Sequence, residues 1–263
     1  MMRFRMLALV VALTVSATAS AQVLFNPNVG YTQNFDSLGA PPPASLPWTN
    51  NTTLTGWYAA DGGGPTTIYY LNNGSSPTGG LYSYGTGADR ALGSLASNAT
   101  GQMYWGAQFT NAHPLWVLTS LTLTYDVEQW RDASEDPSTH MFEYSLDATS
   151  IDDGLATWVA VPLGDLVSIH TNNAGALDGN DPDNKYTVMF TVNGISWAPG
   201  SSLWIRWVDP NDPGSDHGMA IDNFSLSAVP EPTTFALVGL GMGAAGLVSL
   251  RSRRKKGEQV IAA

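Results

Sequence analysis

Between residues 66 and 226 apolar and polar side chains alternate with a period of two, the mark of strands that bury one face. Leu121, Leu123, Tyr125 and Val127 alternate with Thr122, Thr124, Asp126 and Glu128. Phe142, Tyr144 and Leu146 repeat the pattern, followed by Val188, Phe190 and Val192, then by Leu203, Ile205 and Trp207. Further strands are predicted over 66–71, 81–84, 103–110 and 158–161. The segments between them carry breaker chemistry: Ala40-Pro41-Pro42-Pro43, Gly62-Gly63-Gly64-Pro65, Asn72-Asn73-Gly74 and Pro199-Gly200. Helical periodicity and internal repeats are both missing from this body. Many short strands joined by marked turns predict an all-β domain over 22–228, a β-sandwich of the jelly-roll kind.

Two continuous apolar runs interrupt the alternation, one at each end. Arg3 and Arg5 precede the run Met6 to Val15, and Ala19-Ser20-Ala21 supplies a small-residue cleavage site. Residues 1–21 therefore read as a signal peptide, with the secretory translocon and signal peptidase as first partners and Gln22 as mature start. Phe4 separates the arginines, so a twin-arginine route is not indicated. The second run, Phe235 to Leu250, is 16 residues long, about 24 Å of helix against a bilayer core of about 30 Å. Arg251, Arg253, Arg254, Lys255 and Lys256 follow it at once and stop transfer, leaving the body outside and 257–263 as a cytoplasmic tail.

Directly before that run stands Pro230-Glu231-Pro232. Motif, short transmembrane helix and basic stop, in this order over 229–256, resemble the PEP-CTERM sorting signal of exported Gram-negative proteins. The resemblance implies processing by an exosortase, a membrane transpeptidase, near the motif, and delivery to the cell surface or exopolysaccharide matrix. The residues alone leave an uncut single-span anchor open as the alternative.

Charge narrows the partners. Of 22 acidic residues, 20 lie in 22–229 against only Arg90, Arg131, Lys185 and Arg206, a net charge of −16. Such a field repels nucleic acid, so no nucleic-acid role is expected. The chain has no cysteine, which removes disulfides and thiolate metal sites and leaves oxygen-ligated ions such as calcium as available staples.

Two stretches at the ends of the body suggest where an ion sits. Gln33-Asn34-Phe35-Asp36 opens it, and Met219 to Leu226 closes it with Asp222 on the alternation face of Ala220, Phe224 and Leu226. A carboxylate on an apolar face has to be neutralised. Both stretches resemble the terminal strands of carbohydrate-binding-module-type jelly rolls, and the resemblance implies a structural calcium held in part by Asp36 and Asp222. Read from the residues alone, Asp222 pairs with Arg206 or caps backbone amides, and Asp36 starts a turn. The loop 209–218 offers Asp209, Asn211 and Asp216, with the first two at the i, i+2 spacing of calcium loops and Gly214 at the sixth place. Pro213 at the fifth place and the missing Glu at the twelfth leave a solvated turn as the other reading, and the acidic loop 177–184 has the same two readings.

No G-x-S-x-G or HExxH motif occurs, and Glu128 and Glu143 are only one of many carboxylate pairs that 20 acids provide, so no catalytic residue is assigned. Eight aromatic residues gather in the first half of the body: Trp48, Trp57, Tyr58, Tyr69, Tyr70, Tyr82, Tyr84 and Trp105. Aromatic faces stack on sugar rings or fill a core. Trp57 and Tyr82 lead as candidate glycan contacts. The function classes that remain are a non-catalytic surface or matrix protein binding glycan, a purely structural surface protein, and a secreted hydrolase.

Overall fold

The structure is a computed structural model and describes residues 22–42 and 44–230. The strands are, in chain order, β1 (Val23–Phe25), β2 (Tyr31–Gln33), β3 (Ser45–Pro47), β4 (Trp57–Asp61), β5 (Gly64–Pro65) and β6 (Ile68–Asn72). Then come β7 (Gly80–Tyr84), β8 (Ala91–Leu95), β9 (Met103–Asn111), β10 (Leu118–Asp132), β11 (Thr139–Ser145) and β12 (Val159–Ala160). The last five are β13 (Leu166–Val167), β14 (Gly175–Ala176), β15 (Lys185–Trp197), β16 (Ser202–Asp209) and β17 (Gly218–Pro230). The expected signal peptide, Glu231, Pro232, the apolar run 235–250 and the basic stop lie outside the described residues.

Two sheets form a sandwich. The front sheet runs β12-β11-β16-β9-β4-β5, with β1 parallel to β9 and β13 on β11. The back sheet runs β14-β10-β17-β8-β7-β6-β3, with β15 on β10 and β2 on β17. Every stretch predicted from alternation contains a strand, although 66–71 begins its strand only at Ile68 and 158–161 holds only the two residues of β12. β4 and β8 escape that reading because most of their residues are buried on both faces, so they show no polar face to alternate with.

The core between the sheets is aromatic. Trp57 and Trp207 of the front sheet meet Phe224 of the back sheet edge to face, Trp207 meets Tyr125 in the same way, Trp105 stacks on Trp207, and all five are buried. Edge-to-face packing sets the positive ring edge against the negative ring face, adding about 0.5–1.5 kcal/mol per pair beyond burial.

β17 is not a simple alternating strand. Thr124 pairs with Ser225 and Asp126 with Asp222, so the single residue Tyr125 faces two residues of β17. The extra residue is Asn223, at φ 51°, a left-handed conformation that Asn tolerates better than most residues. This bulge resets the phase: Met219 and Ile221 before it and Phe224, Leu226 and Ala228 after it all enter the main core. Asp222 therefore shares a face with Ala220, on the outer side of the back sheet, and not with Phe224 and Leu226 as strict alternation requires.

Candidate functional site

The outer face of the front sheet carries rings and polar groups together. On β4 the odd residues Trp57 and Ala59 face the core, which turns Tyr58 outward. The same parity turns out Tyr104 and Gln108 of β9, Trp204 and Arg206 of β16, and Glu143 of β11. Register brings them together: Tyr58 lies opposite Gly106, Gly106 opposite Arg206, Arg206 opposite Glu143, and Gln108 opposite Trp204. A Cβ on Gly106, between Tyr58 and Arg206, would stand 2.1 Å from Ile205 O, so glycine is what fits at this position.

Tyr58 and Trp204 pack with ring centroids 4.6 Å apart at 56°. The Tyr58 hydroxyl donates to Gln108 Oε1 at 3.0 Å, and Gln108 Nε2 donates to Ser202 Oγ at 3.0 Å. Arg206 is clamped: it donates twice to Glu143 Oε2, at 2.7 and 2.9 Å, and its Nη1 donates to Ile151 O at 2.8 Å. Its guanidinium lies 3.6 Å from the Trp158 ring centroid and 4.9 Å from that of Tyr104. The loop 146–158 is thereby tied down over part of the face. Beside it remains a cavity of about 250 Å³, lined in part by Asn50, Tyr58, Gln108, Asp152 and Trp204. Trp204 is buried, yet its indole N–H has no hydrogen-bond partner. An unpaired buried donor costs about 1–3 kcal/mol; this one is sealed within the fold, so the ring that borders the cavity with accessible surface is the half-buried Tyr58.

The leading aromatic candidates prove to be structural. Trp57 is fully buried, its indole donating to the Tyr31 hydroxyl at 2.8 Å. Tyr82 is fully buried as well, stacked on Tyr84 at 4.6 Å with its hydroxyl held by Thr78 O. Neither reaches a ligand. Of the eight rings in the first half of the body only Tyr58 and Tyr70 are half-buried and the rest are buried. Sequence reasoning passed over Tyr104, beside Trp105 in that cluster, and missed Trp158 and Trp204, which lie outside it. The signal available was strand parity: an aromatic residue one step out of phase with the core positions of its own strand.

The acidic candidates fall into separate places. Asp36 lies in the short 3₁₀ turn Asp36–Leu38, after β2 rather than in it. Its carboxylate accepts from the Arg90 N–H at 3.0 Å and from Asn34 Nδ2 at 2.7 Å. Asp222 is buried, and its Oδ1 has no partner. Burial first, and then the charges of Asp89, Asp36 and Asp126, push its carboxyl up to about 7, against the pull of the Asn223 N–H. Glu128 is pushed to about 8, again by burial first; the Trp130 indole, donating at 2.9 Å, lowers it and Asp222 raises it. Arg206 belongs to Glu143, so it does not neutralise Asp222. Glu128 and Glu143 lie in different sheets and form no acid–base pair.

Asp209, Asn211 and Asp216 each have protein partners. Asp209 ends β16 and is buried, with His140 Nε2 3.1 Å from its Oδ1 and Ser94 Oγ donating at 2.6 Å to its Oδ2. Asn211 bonds Asn98, and Asp216 accepts from the Asp212 N–H. The strand continues one residue further than loop chemistry suggests, which turns Asp209 inward. Among the described residues no three His, Asp or Glu side chains converge as a metal site. A calcium ion at Asp36 and Asp222 would have to draw its remaining oxygens from backbone carbonyls or water. The unpartnered Asp222 Oδ1 is the observation that fits such an ion.

Comparison with known proteins bears on the chain's end first. Residues 228–255 match the PEP-CTERM protein-sorting motif. None of the curated proteins compared matches the chain. Among solved structures, the CBM22-1 xylan-binding domain from Paenibacillus barcinonensis aligns over 76% of this chain and 94% of its own, at 12% identity and TM-score 0.37. The K3 cleaved adhesin domain of Lys-gingipain from Porphyromonas gingivalis aligns over 75% and 97%, at 16% identity and TM-score 0.40. The xylan-binding module CBM15 aligns over 71% and 97%, at 12% identity and TM-score 0.35. Among the described residues no helix is long and apolar enough to cross a membrane.

Proposed function

We propose that the sandwich is a non-catalytic glycan-binding domain of an exported protein, and that it binds a neutral polysaccharide on the outer face of the front sheet. The observation that carries this reading is the half-buried Tyr58 ring, backed by the buried Trp204, beside a 250 Å³ cavity that Asn50, Gln108 and Asp152 also line. Sugar rings stack on aromatic faces while their hydroxyls hydrogen-bond side-chain amides and carboxylates of the kind Asn50, Gln108 and Asp152 supply. A neutral ligand fits best: Arg206 is already neutralised by Glu143, Asp152 lines the cavity, and the −16 body repels anionic polymers.

Export runs through the secretory translocon and signal peptidase. The sorting motif then holds the protein in the inner membrane until an exosortase releases it to the cell surface or matrix. Calcium bridging Asp36 and Asp222 stabilises the domain and takes no part in binding. Affinity electrophoresis of the purified protein through gels containing neutral polysaccharides, among them that of the producing organism, tests the reading. Retardation that Tyr58→Ala abolishes supports it. If no polysaccharide retards the wild type, a purely structural surface role takes its place.

A further inference from the structure

The end of the sandwich from which the chain leaves for the sorting motif differs from the rest of the surface. β17 stays paired to its last residue: Pro230 lies opposite Leu118, Val229 opposite Ser120 and Ala228 opposite Leu121, with Ala228 in the core. Only residues 231–234 separate this strand from the apolar run that begins at Phe235. Even fully extended, the step from Pro230 to Phe235 covers at most about 18 Å. The polar interface on each side of a bilayer core already takes up about 5–8 Å of that. A domain of this size has a radius of gyration of about 17 Å. Once the run is in a bilayer, so short a tether keeps the domain against its surface, with the β17 exit facing down.

That end is built for such contact. Leu24 of β1 lies opposite Thr110, beside the end of β9, and is 67% exposed. Asn111 then holds the loop 112–117 by donating to Trp116 O and Trp197 O, and this loop presents Leu115, 79% exposed, and Val117. Val29, 81% exposed, tops the turn that leads into Tyr31, opposite Leu226, and Val229 is half exposed on β17 itself. The segments that build this end, 22–35, 107–125, 186–205 and 223–230, contain no Asp, Glu, Lys or Arg, on a body of net charge −16. Acidic groups facing an anionic leaflet would repel it, and exposed Leu and Val enter the interface at no electrostatic cost.

We propose that this uncharged end seats the domain on the phospholipid bilayer before release, with Leu24, Val29, Leu115 and Val117 in the interface, so that residues 231–234 are held at the membrane surface. The inference rests on the reading of 235–250 as a membrane-inserted segment. The absence of cysteine makes single-site labelling clean. The test uses the full chain in vesicles of phosphatidylethanolamine and phosphatidylglycerol, with an environment-sensitive fluorophore on Leu24→Cys, Leu115→Cys, Ser215→Cys or Ala244→Cys. Ser215 is exposed in the loop after β16, at the opposite end, and Ala244 reports on the tail.

The expected result is quenching by brominated lipid and protection from aqueous iodide at 24 and 115, with the reverse at 215. Adding Leu115→Asp and Val117→Asp is expected to move the label at 24 into water while the label at 244 stays in lipid. Lipid quenching at 244 together with iodide quenching at 24 and 115 overturns the docking and leaves the anchor intact. A label at 244 that is itself in water removes the anchor, and the docking with it.

Discussion

Tyr58, Tyr104, Trp158 and Trp204 on the front sheet, and Tyr70, Tyr82, Tyr84 and Trp130 on the back sheet, are two groups of rings lying on the outer faces of the same sandwich. In the back group the rings form a ladder, with Tyr82 on Tyr84 at 4.6 Å and Tyr84 on Trp130 at 5.9 Å, both nearly parallel. Loops seal it. A Cβ on Gly74, which adopts φ +84°, would stand 1.7 Å from Trp130 O, and one on Gly179 would stand 2.4 Å from the Trp130 ring, so glycine is what lets both loops close down. On the front sheet the covering loop is instead pinned through Arg206 and stops short of Tyr58, which leaves the cavity. Ring content is alike in the two groups; what differs is how closely the neighbouring loop backbone approaches. One group is sealed into the fold, and the other keeps Tyr58, Tyr104 and Trp158 only half-buried.

That contrast breaks most directly at Trp130. Trp130→Ala removes a fully buried ring and the donor that Glu128 relies on, and is expected to cost about 3–5 kcal/mol of stability in urea unfolding, with glycan affinity of the folded fraction unchanged. A stable Trp130→Ala variant that no longer binds would reverse the assignment of the two groups.

Titration should separate the faces next. The folded-state value of Asp222 is about 7 and that of Glu128 about 8, above unfolded values near 4. The native state then holds more protons than the unfolded chain between about pH 4 and 8. Their contribution is therefore full below pH 4 and is lost as pH rises through 7 and 8. At about 1.4 kcal/mol per tenfold change in acidity, Asp222 alone accounts for a fall on the order of 4 kcal/mol in the absence of divalent ions, read as a melting temperature that drops with pH. Asp222→Asn should flatten the curve, while binding on the front face should stay level over the same range.

Calcium acts in the opposite sense, because it favours the ionised carboxylate. At a hundredfold excess over its dissociation constant it is expected to stabilise by about 2.7 kcal/mol. Calorimetry with calcium and then with chelator measures this, and Asp222→Asn should remove the difference. An unchanged melting temperature in both would exclude the ion.

The smallest expected effect lies on the open face. By analogy with base stacking on aromatic side chains, Tyr58→Ala is expected to weaken glycan binding by about 1–3 kcal/mol, with a stability loss well below that of Trp130→Ala. Titration calorimetry with the retarding polysaccharide measures it, and equal affinity for Tyr58→Ala and wild type would move the site elsewhere.

Most of the fold was legible, since long strands that bury one face must alternate: 121–128, 142–146, 188–192 and 203–207 announce β10, β11, β15 and β16. The sorting motif at 228–255 was legible for a similar reason, as motif, apolar run and flanking cations are neighbours along the chain. The candidate site was not. Trp57 and Tyr58 are neighbours of like chemistry, and the choice between core and surface depends on which face of β4 meets the back sheet. Asp209 looked like the start of a loop and turned out to end a strand beside His140.

The sequence by itself determined the strand segments, the acidic body and its uncharged segments, and the sorting motif at 228–255, because periodicity, charge and local motifs are properties of neighbouring residues. Only the tertiary structure decided which rings stay accessible, that Asn223 bulges and turns Asp222 away from the main core, and that the uncharged segments meet at the exit of β17. Those outcomes depend on strand register and on how closely a distant loop packs, and contacts between residues far apart in the chain leave no periodic trace within either segment.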